Sequence, residues 1–189
     1  MVDRAKAESR RMIEALTPWI ERGVPIVGLE PSCLYSLKDE FLAMHPGDSR
    51  AAALAELAVT FETFVARAVR EGARIAWREG AAPEFLVHGH CHQKAFGDFD
   101  DTLAALRAIP GARVTAVESS CCGMAGSFGH EHYDVSMAMG EVSLLPAVRA
   151  AGPGTTVVAA GTSCRHQIDH GAQREAVHPA VALAGALAR

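Results

Sequence analysis

Five cysteines are the residues best equipped for chemistry in this 189-residue chain: Cys33, Cys91, Cys121, Cys122 and Cys164. Thiolates bind soft metals and iron–sulfur clusters, act as nucleophiles, or cycle through disulfides. An odd number leaves one over in a purely disulfide account. The sharpest feature is the adjacent pair Cys121-Cys122. Neighbouring cysteines rarely close a relaxed disulfide on each other, because the eight-membered ring strains the peptide. Both can instead reach one polynuclear centre, whereas a single tetrahedral zinc usually draws on a wider Cys-x-x-Cys spacing. The segment that follows, Gly123-Met124-Ala125-Gly126-Ser127-Phe128-Gly129, holds three glycines in seven residues just before a helical pattern. Gly123 and Gly126 allow the backbone to come close to a bound group. Backbone N–H groups and a helix N-terminus favour the negative charge of a thiolate-ligated cluster. The plainer alternative is a glycine-rich turn with two small core cysteines.

The second dense motif is His88-Gly89-His90-Cys91-His92. Cys91 reads as a ligand. In an extended segment the three histidines would share the side opposite Cys91, and a turn after the strand would change that. His92, and His166 two positions after Cys164, are candidate ligands or neighbours of ligands. His90 or His92 can equally shuttle a proton, since imidazole titrates near neutral pH. Cys33 and Cys164 are single cysteines, and each alone is more often a small buried hydrophobe than a ligand. Their shared position after an apolar run makes both candidates. No dinucleotide-binding glycine fingerprint, phosphate loop or Gly-x-Ser-x-Gly elbow is present, and no residue is expected to be catalytic.

These residues need strands to deliver them. Short apolar runs at 24–29, 84–88, 113–118 and 155–160 predict four strands, each ending just before a cysteine. Helices are expected at 3–22, 34–44, 51–72, 101–108, 131–150 (bent at Pro146) and 179–188, and 72–83 is irregular. Apolar strands alternating with helices predict an α/β fold: a mostly parallel sheet with helices on both faces. Ligands of open parallel sheets bind beyond the carboxyl ends of the strands, so the cysteines should converge there. A weak repeat links Pro31-Ser32-Cys33 with Thr162-Ser163-Cys164 and suggests one cysteine-rich domain over 1–189, built of related half-units near 1–80 and 81–189.

The formal net charge is −4 with no basic block, which gives no basis for nucleic-acid binding. No apolar run approaches the ~20 residues a membrane span needs. The first residues lack the apolar core of a signal peptide. A cytoplasmic location is expected, where thiols stay reduced and read first as ligands.

The motifs resemble the cysteine-rich "CCG" domain of iron–sulfur oxidoreductases. That group includes a cysteine-rich component of heterodisulfide reductase, the iron–sulfur subunits of glycolate oxidase and of anaerobic glycerol-3-phosphate dehydrogenase, and the C-terminal part of large FAD-linked D-lactate or D-2-hydroxyglutarate-type dehydrogenases. The last looks most similar, through segments like Gly28-Leu29-Glu30-Pro31-Ser32-Cys33, His88-Gly89-His90-Cys91-His92-Gln93-Lys94-Ala95, Glu118-Ser119-Ser120-Cys121-Cys122-Gly123-Met124-Ala125-Gly126 and Gly161-Thr162-Ser163-Cys164-Arg165-His166-Gln167-Ile168. The resemblance implies an iron–sulfur cluster of 4Fe–4S type on Cys33, Cys91, Cys121, Cys122 and Cys164. It also implies electrons arriving from FAD on a partner dehydrogenase domain or subunit, other iron–sulfur domains as partners, and no substrate turnover by this chain alone. Two positions depart from the pattern: Gly161 stands where the first cysteine of a last Cys-x-x-Cys is expected, and Glu30 stands likewise before Cys33. A structural zinc site and metal-free thiol–disulfide chemistry are the alternatives.

Overall fold

A computed structural model describes residues 1–119 and 121–188. Ser120, in the turn expected before the paired cysteines, lies outside them. The chain divides into two compact units, Met1–Phe64 and the remainder from Val65.

In the first unit, α1 (Val2–Ile20) turns Ile13 and Ile20 into a core shared with Leu34, Leu37, Phe41, Ala51 and Leu54. Gly23, at φ +66, ends the segment. Strand β1 (Ile26–Gly28) leads into the short helix α2 (Pro31–Leu34), capped by Glu30 and carrying Cys33 in its only turn. Helices α3 (Glu40–Met44) and α4 (Ser49–Leu57) follow, the latter capped by Asp48. The single helix expected over 51–72 is two helices. Ala58 turns extended, and Ala58–Thr60 forms β2, parallel to β1 with Ile26 opposite Ala58. The chain then re-enters a helix, α5 (Phe61–Arg70), with the Thr60 hydroxyl accepting the Thr63 N–H at 3.2 Å. Lys38 Nζ donates to the carbonyls of Ala55 and Ala58, satisfying the frayed end of α4.

Glu62, in the first turn of α5, is only 1% exposed. Burial raises the pKa of its carboxyl. Between the ordinary glutamate value and the raised one, the folded state holds a proton that the unfolded chain has released. Stability therefore falls as pH rises through that window. Glu62→Gln should unfold at a higher temperature than the parent at pH 7, and the gain should shrink toward pH ~4.3, the ordinary glutamate pKa. Thermal melts across that range check it, and an equal or lower melting point at pH 7 would contradict it.

The second unit is built on a four-stranded parallel sheet, β4-β3-β5-β6 in order, from β3 (Glu84–His88), β4 (Arg113–Ala116), β5 (Thr155–Ala159) and β6 (Ala176–Val177). Central β3 pairs with β4 from Glu84 opposite Arg113, and with β5 from Glu84 opposite Thr155. The period-two alternation of a strand sends Val157 and Ala159 into a core with Leu144, Leu145, Val148 and Ile168. The connecting helices are α6 (Cys91–Ala95), α7 (Phe99–Arg107), α8 (Phe128–Glu131), α9 (Tyr133–Glu141), α10 (Leu144–Ala150), α11 (Thr162–Ala172) and α12 (Pro179–Gly185). Helix α12 packs against α7 and β5, and α11 against α10 and β5. The expected fold class, α/β with parallel strands flanked by helices, is the one observed.

Three details differ. Among the described residues the strands number six, in two sheets: β2, which pairs with the first expected strand, and β6 are both unforeseen. The helix expected over 131–150 breaks at His132 and again at Ser143, and Pro146 sits in the first turn of α10, where its missing N–H is tolerated. Helix α11 has no counterpart among the expected helices: its buried stripe of Cys164, Gln167, Ile168 and Ala172 is short and partly polar. Among the described residues, no helix is long and apolar enough to cross a membrane.

Candidate metal centre

The parallel strands β3, β4 and β5 all end on the same edge of the second sheet, and each hands the chain to a cysteine. Strand β3 ends at His88, 1% exposed. Gly89 then passes the Phe99 ring so closely that a Cβ would stand 2.7 Å from it. His90 caps α6: its Nδ1 accepts the His92 N–H at 3.2 Å, and its own backbone N–H donates to Gln93 Oε1 at 3.2 Å. Gln93, fully buried, anchors this box through Nε2 to the Thr102 hydroxyl on α7 at 3.1 Å. Cys91 is therefore the first residue of a helix whose position is fixed from both sides, and it is exposed.

After β4 the chain reaches Cys121 and Cys122. The Cys121 sulfur accepts the Gly123 N–H at 3.3 Å, and Cys122 turns inward to 5% exposure. Gly123 has φ +92, and a Cβ on it would fall 2.3 Å from the Ser136 carbonyl oxygen. After β5, Gly161 caps α11 and Cys164 lies in its first turn at 3% exposure. The Arg165 guanidinium donates to the carbonyls of Ala159 and Ala160 and so fixes the strand end that leads to Cys164.

The four cysteines of this unit lie near enough to shift one another's ionisation in turn: Cys91 with Cys121, Cys121 with Cys122, and Cys122 with Cys164. Thiol donors on Cys122 and Cys91, with the Gly123 N–H, hold Cys121 well below the ordinary thiol range. Cys164 is lowered to about 5, first by the Cys122 thiol and then by His88, against the opposing effect of burial. Cys91 and Cys122, as the proton-holding partners, are pushed up. The four sulfurs thus separate into two that ionise readily and two that hold their protons. The nearby Lys94 is pushed down by burial, against the raising effect of these sulfurs, and its Nζ donates to the Ser119 carbonyl.

One group is not apparent from the sequence. A ring nitrogen of His88 and the sulfurs of Cys122 and Cys164 all lie within 4.8 Å of one another, and all three residues are buried. His88 Nδ1 is 2.8 Å from the Ser119 hydroxyl, while Nε2 is buried with no hydrogen-bond partner among the described residues. His92 and His166, the histidines singled out from the sequence, are both exposed. His92 packs edge-on to His90, and His166 lines a cleft of ≈ 310 Å³ with Met124, His130, Tyr133 and His170. Gly126, at φ +63, closes the turn after Cys122 and has open space where a side chain would go. Cys33 belongs to the first unit, where it is exposed on α2.

Soft sulfur donors grouped with a buried imidazole nitrogen that has no hydrogen-bond partner among the described residues fit a metal or iron–sulfur group.

No protein-family model matches the chain, and no solved structure does. Curated relatives do match. One subunit of the anaerobic glycerol-3-phosphate dehydrogenase of Escherichia coli K12 is 28% identical over 98% of this chain and 46% of its own length. D-2-hydroxyglutarate dehydrogenase of the same organism is 30% identical over 96% of this chain and 17% of its own length, and that of Pantoea ananatis 26% over 85% and 15%. The chain thus spans less than half the length of these relatives. The resemblance drawn from the four cysteine motifs is borne out: this chain corresponds to a part of these oxidoreductases.

Proposed function

We propose that this chain is the iron–sulfur electron-transfer part of an FAD-linked 2-hydroxy-acid or related dehydrogenase, taking electrons from flavin on a partner domain or subunit. The observation that carries the reading is the delivery of Cys91, Cys121, Cys122 and Cys164 by the ends of three parallel strands, with the Cys122 and Cys164 sulfurs within 4.8 Å of each other, in a chain whose relatives are dehydrogenases. Cys91, Cys121, Cys122 and Cys164 would hold the cluster, and the group itself would supply one-electron redox chemistry. Gly123 and Gly126 would shape the backbone around it, and the Gly123 N–H would tune the Cys121 sulfur. Cys33 is a further thiolate candidate.

Anaerobically purified protein should contain iron and acid-labile sulfide in comparable amounts and give an EPR signal in one redox state. Cys122→Ser should lose most of both, and Cys33→Ser tests whether a fifth thiolate contributes. Protein with no iron and no sulfide would contradict the reading.

A second reading is favoured by the compact group of His88, Cys122 and Cys164, which suits one structural zinc ion. It expects one zinc per chain, no sulfide and no redox signal.

A further inference from the structure

We propose that His88 is itself a ligand of the centre, binding through Nε2 beside the thiolates of Cys122 and Cys164, so that the donor set is mixed nitrogen and sulfur. This rests on the iron–sulfur reading above.

The argument begins with position. His88 is the last residue of the central strand, which is held by pairing on both sides, and it is 1% exposed. A buried imidazole normally satisfies both ring nitrogens. Here Nδ1 meets the Ser119 hydroxyl at 2.8 Å, and Nε2 has no hydrogen-bond partner among the described residues. A hydroxyl can accept, so an Nδ1–H directed at Ser119 leaves the Nε2 lone pair free toward the sulfurs. Metal-bound histidines are held in this way, by an acceptor on the far nitrogen that fixes tautomer and ring orientation. The neutral ring then ligates without releasing a proton. Donor atoms held ~2.0–2.3 Å from one ion in tetrahedral geometry stand roughly 3.3–3.8 Å apart. The separations of no more than 4.8 Å among His88, Cys122 and Cys164 therefore call for an inward shift of about an ångström, which side-chain rotation can supply.

The neighbouring histidine makes the contrast. His90 Nδ1 already accepts the His92 N–H, so a neutral His90 carries its proton on Nε2, on the side of the ring that borders Gly161. Two histidines two residues apart thus hold opposite tautomers: one offers a lone pair to the metal, the other a hydrogen bond to its surroundings. Gly161 gives no side-chain donor where a cysteine would, and His88 offers one beside Cys164. A neutral nitrogen in place of a thiolate leaves the centre less negative, which raises its reduction potential.

The test uses holo-protein purified anaerobically, first assayed for iron and sulfide, then examined by pulsed EPR with ¹⁴N- and ¹⁵N-histidine labelling. The expected result is a directly coupled histidine nitrogen that persists in His90→Asn and His92→Gln and disappears in His88→Gln. If His88→Gln fails to load, the persistence of the coupling in the other two variants still assigns it. Ser119→Ala should keep the coupling and shift the midpoint potential. A loaded cluster without histidine nitrogen coupling would overturn the ligand assignment and leave the electron-transfer reading intact. Absence of iron and sulfide would overturn that reading instead. If zinc is found in their place, X-ray absorption decides on His88: one imidazole nitrogen in the zinc shell supports it, and a sulfur-only shell removes it.

Discussion

Gly123→Ala should destabilise the protein by about 2–6 kcal/mol and, on the iron–sulfur reading, should sharply reduce the iron it retains. Two effects add. Residue 123 sits at φ +92, where an L side chain is strained by ~1–3 kcal/mol. The new Cβ would also stand 2.3 Å from the Ser136 carbonyl oxygen and 3.1 Å from Met139 Cβ, an overpacking of a further ~1–3 kcal/mol. The carbonyl has little freedom to retreat. It belongs to α9 and accepts the Gln167 Nε2–H at 3.1 Å from α11. Any relief must come from moving residue 123, which would draw its N–H away from the Cys121 sulfur. Gly126→Ala is the control: φ is +63 but nothing lies within 4 Å, so only the backbone strain applies. Denaturant unfolding of both variants, with iron measured on each, checks the contrast. Equal losses at the two positions would show that the Ser136 contact does not matter.

The glycines of the Cys-Cys-Gly turn are legible in the sequence because their reason is local, a backbone that must turn back on itself. So are β3, β4 and β5 of the second unit, whose apolar runs stand out against the helical periodicity around them; β6, two residues long, is not. The break at Ala58–Thr60 is not. Leu54, Leu57, Phe61, Phe64 and Val65 continue in helical phase across it, so periodicity alone reads one helix. The competing signal is Thr60, whose hydroxyl caps the next helix through Thr63. Helix α11 is hidden for the opposite reason. Its buried stripe is short and partly polar, and the Gln167 Nε2 donates there to Ser136, a partner 31 residues away.

At the site, spacing makes the cysteines conspicuous but does not distinguish the histidines. An extended reading puts His88, His90 and His92 on one side. In the structure His88 is the end of the strand, His90 the cap and His92 part of the first turn of α6, and each faces a different environment. The deciding feature for His88 is a hydrogen-bond partner on one nitrogen and, among the described residues, none on the other, which depends on Ser119 from the neighbouring strand's exit. Gln93 is likewise silent in sequence, although it ties the cap of α6 to α7.

Restoring a cysteine at residue 161 should not restore a fifth thiolate to this unit. The backbone there is permissive, with φ −76 and ψ 135. The obstacle is the His90 ring: a Cβ on residue 161 would lie 2.4 Å from His90 Cδ2, 3.1 Å from its Nε2 and 3.3 Å from the Cys164 sulfur. The ring is pinned by its bond from the His92 N–H, so it cannot swing aside without losing the cap of α6. Gly161→Cys alone should therefore cost about 1–3 kcal/mol as an overpacked site. His90→Ala alone should cost about 0.5–2 kcal/mol as a lost cap. The double variant should cost less than the two together, because removing the ring opens the space the thiol needs. A double-mutant cycle from denaturant unfolding measures that coupling directly. Strict additivity, or a Gly161→Cys variant as stable as the parent, would mean that His90 does not hold this space. Sub-additive losses would show that residues 90 and 161 occupy one volume between them, so that here a capping histidine and a cysteine at 161 are alternatives.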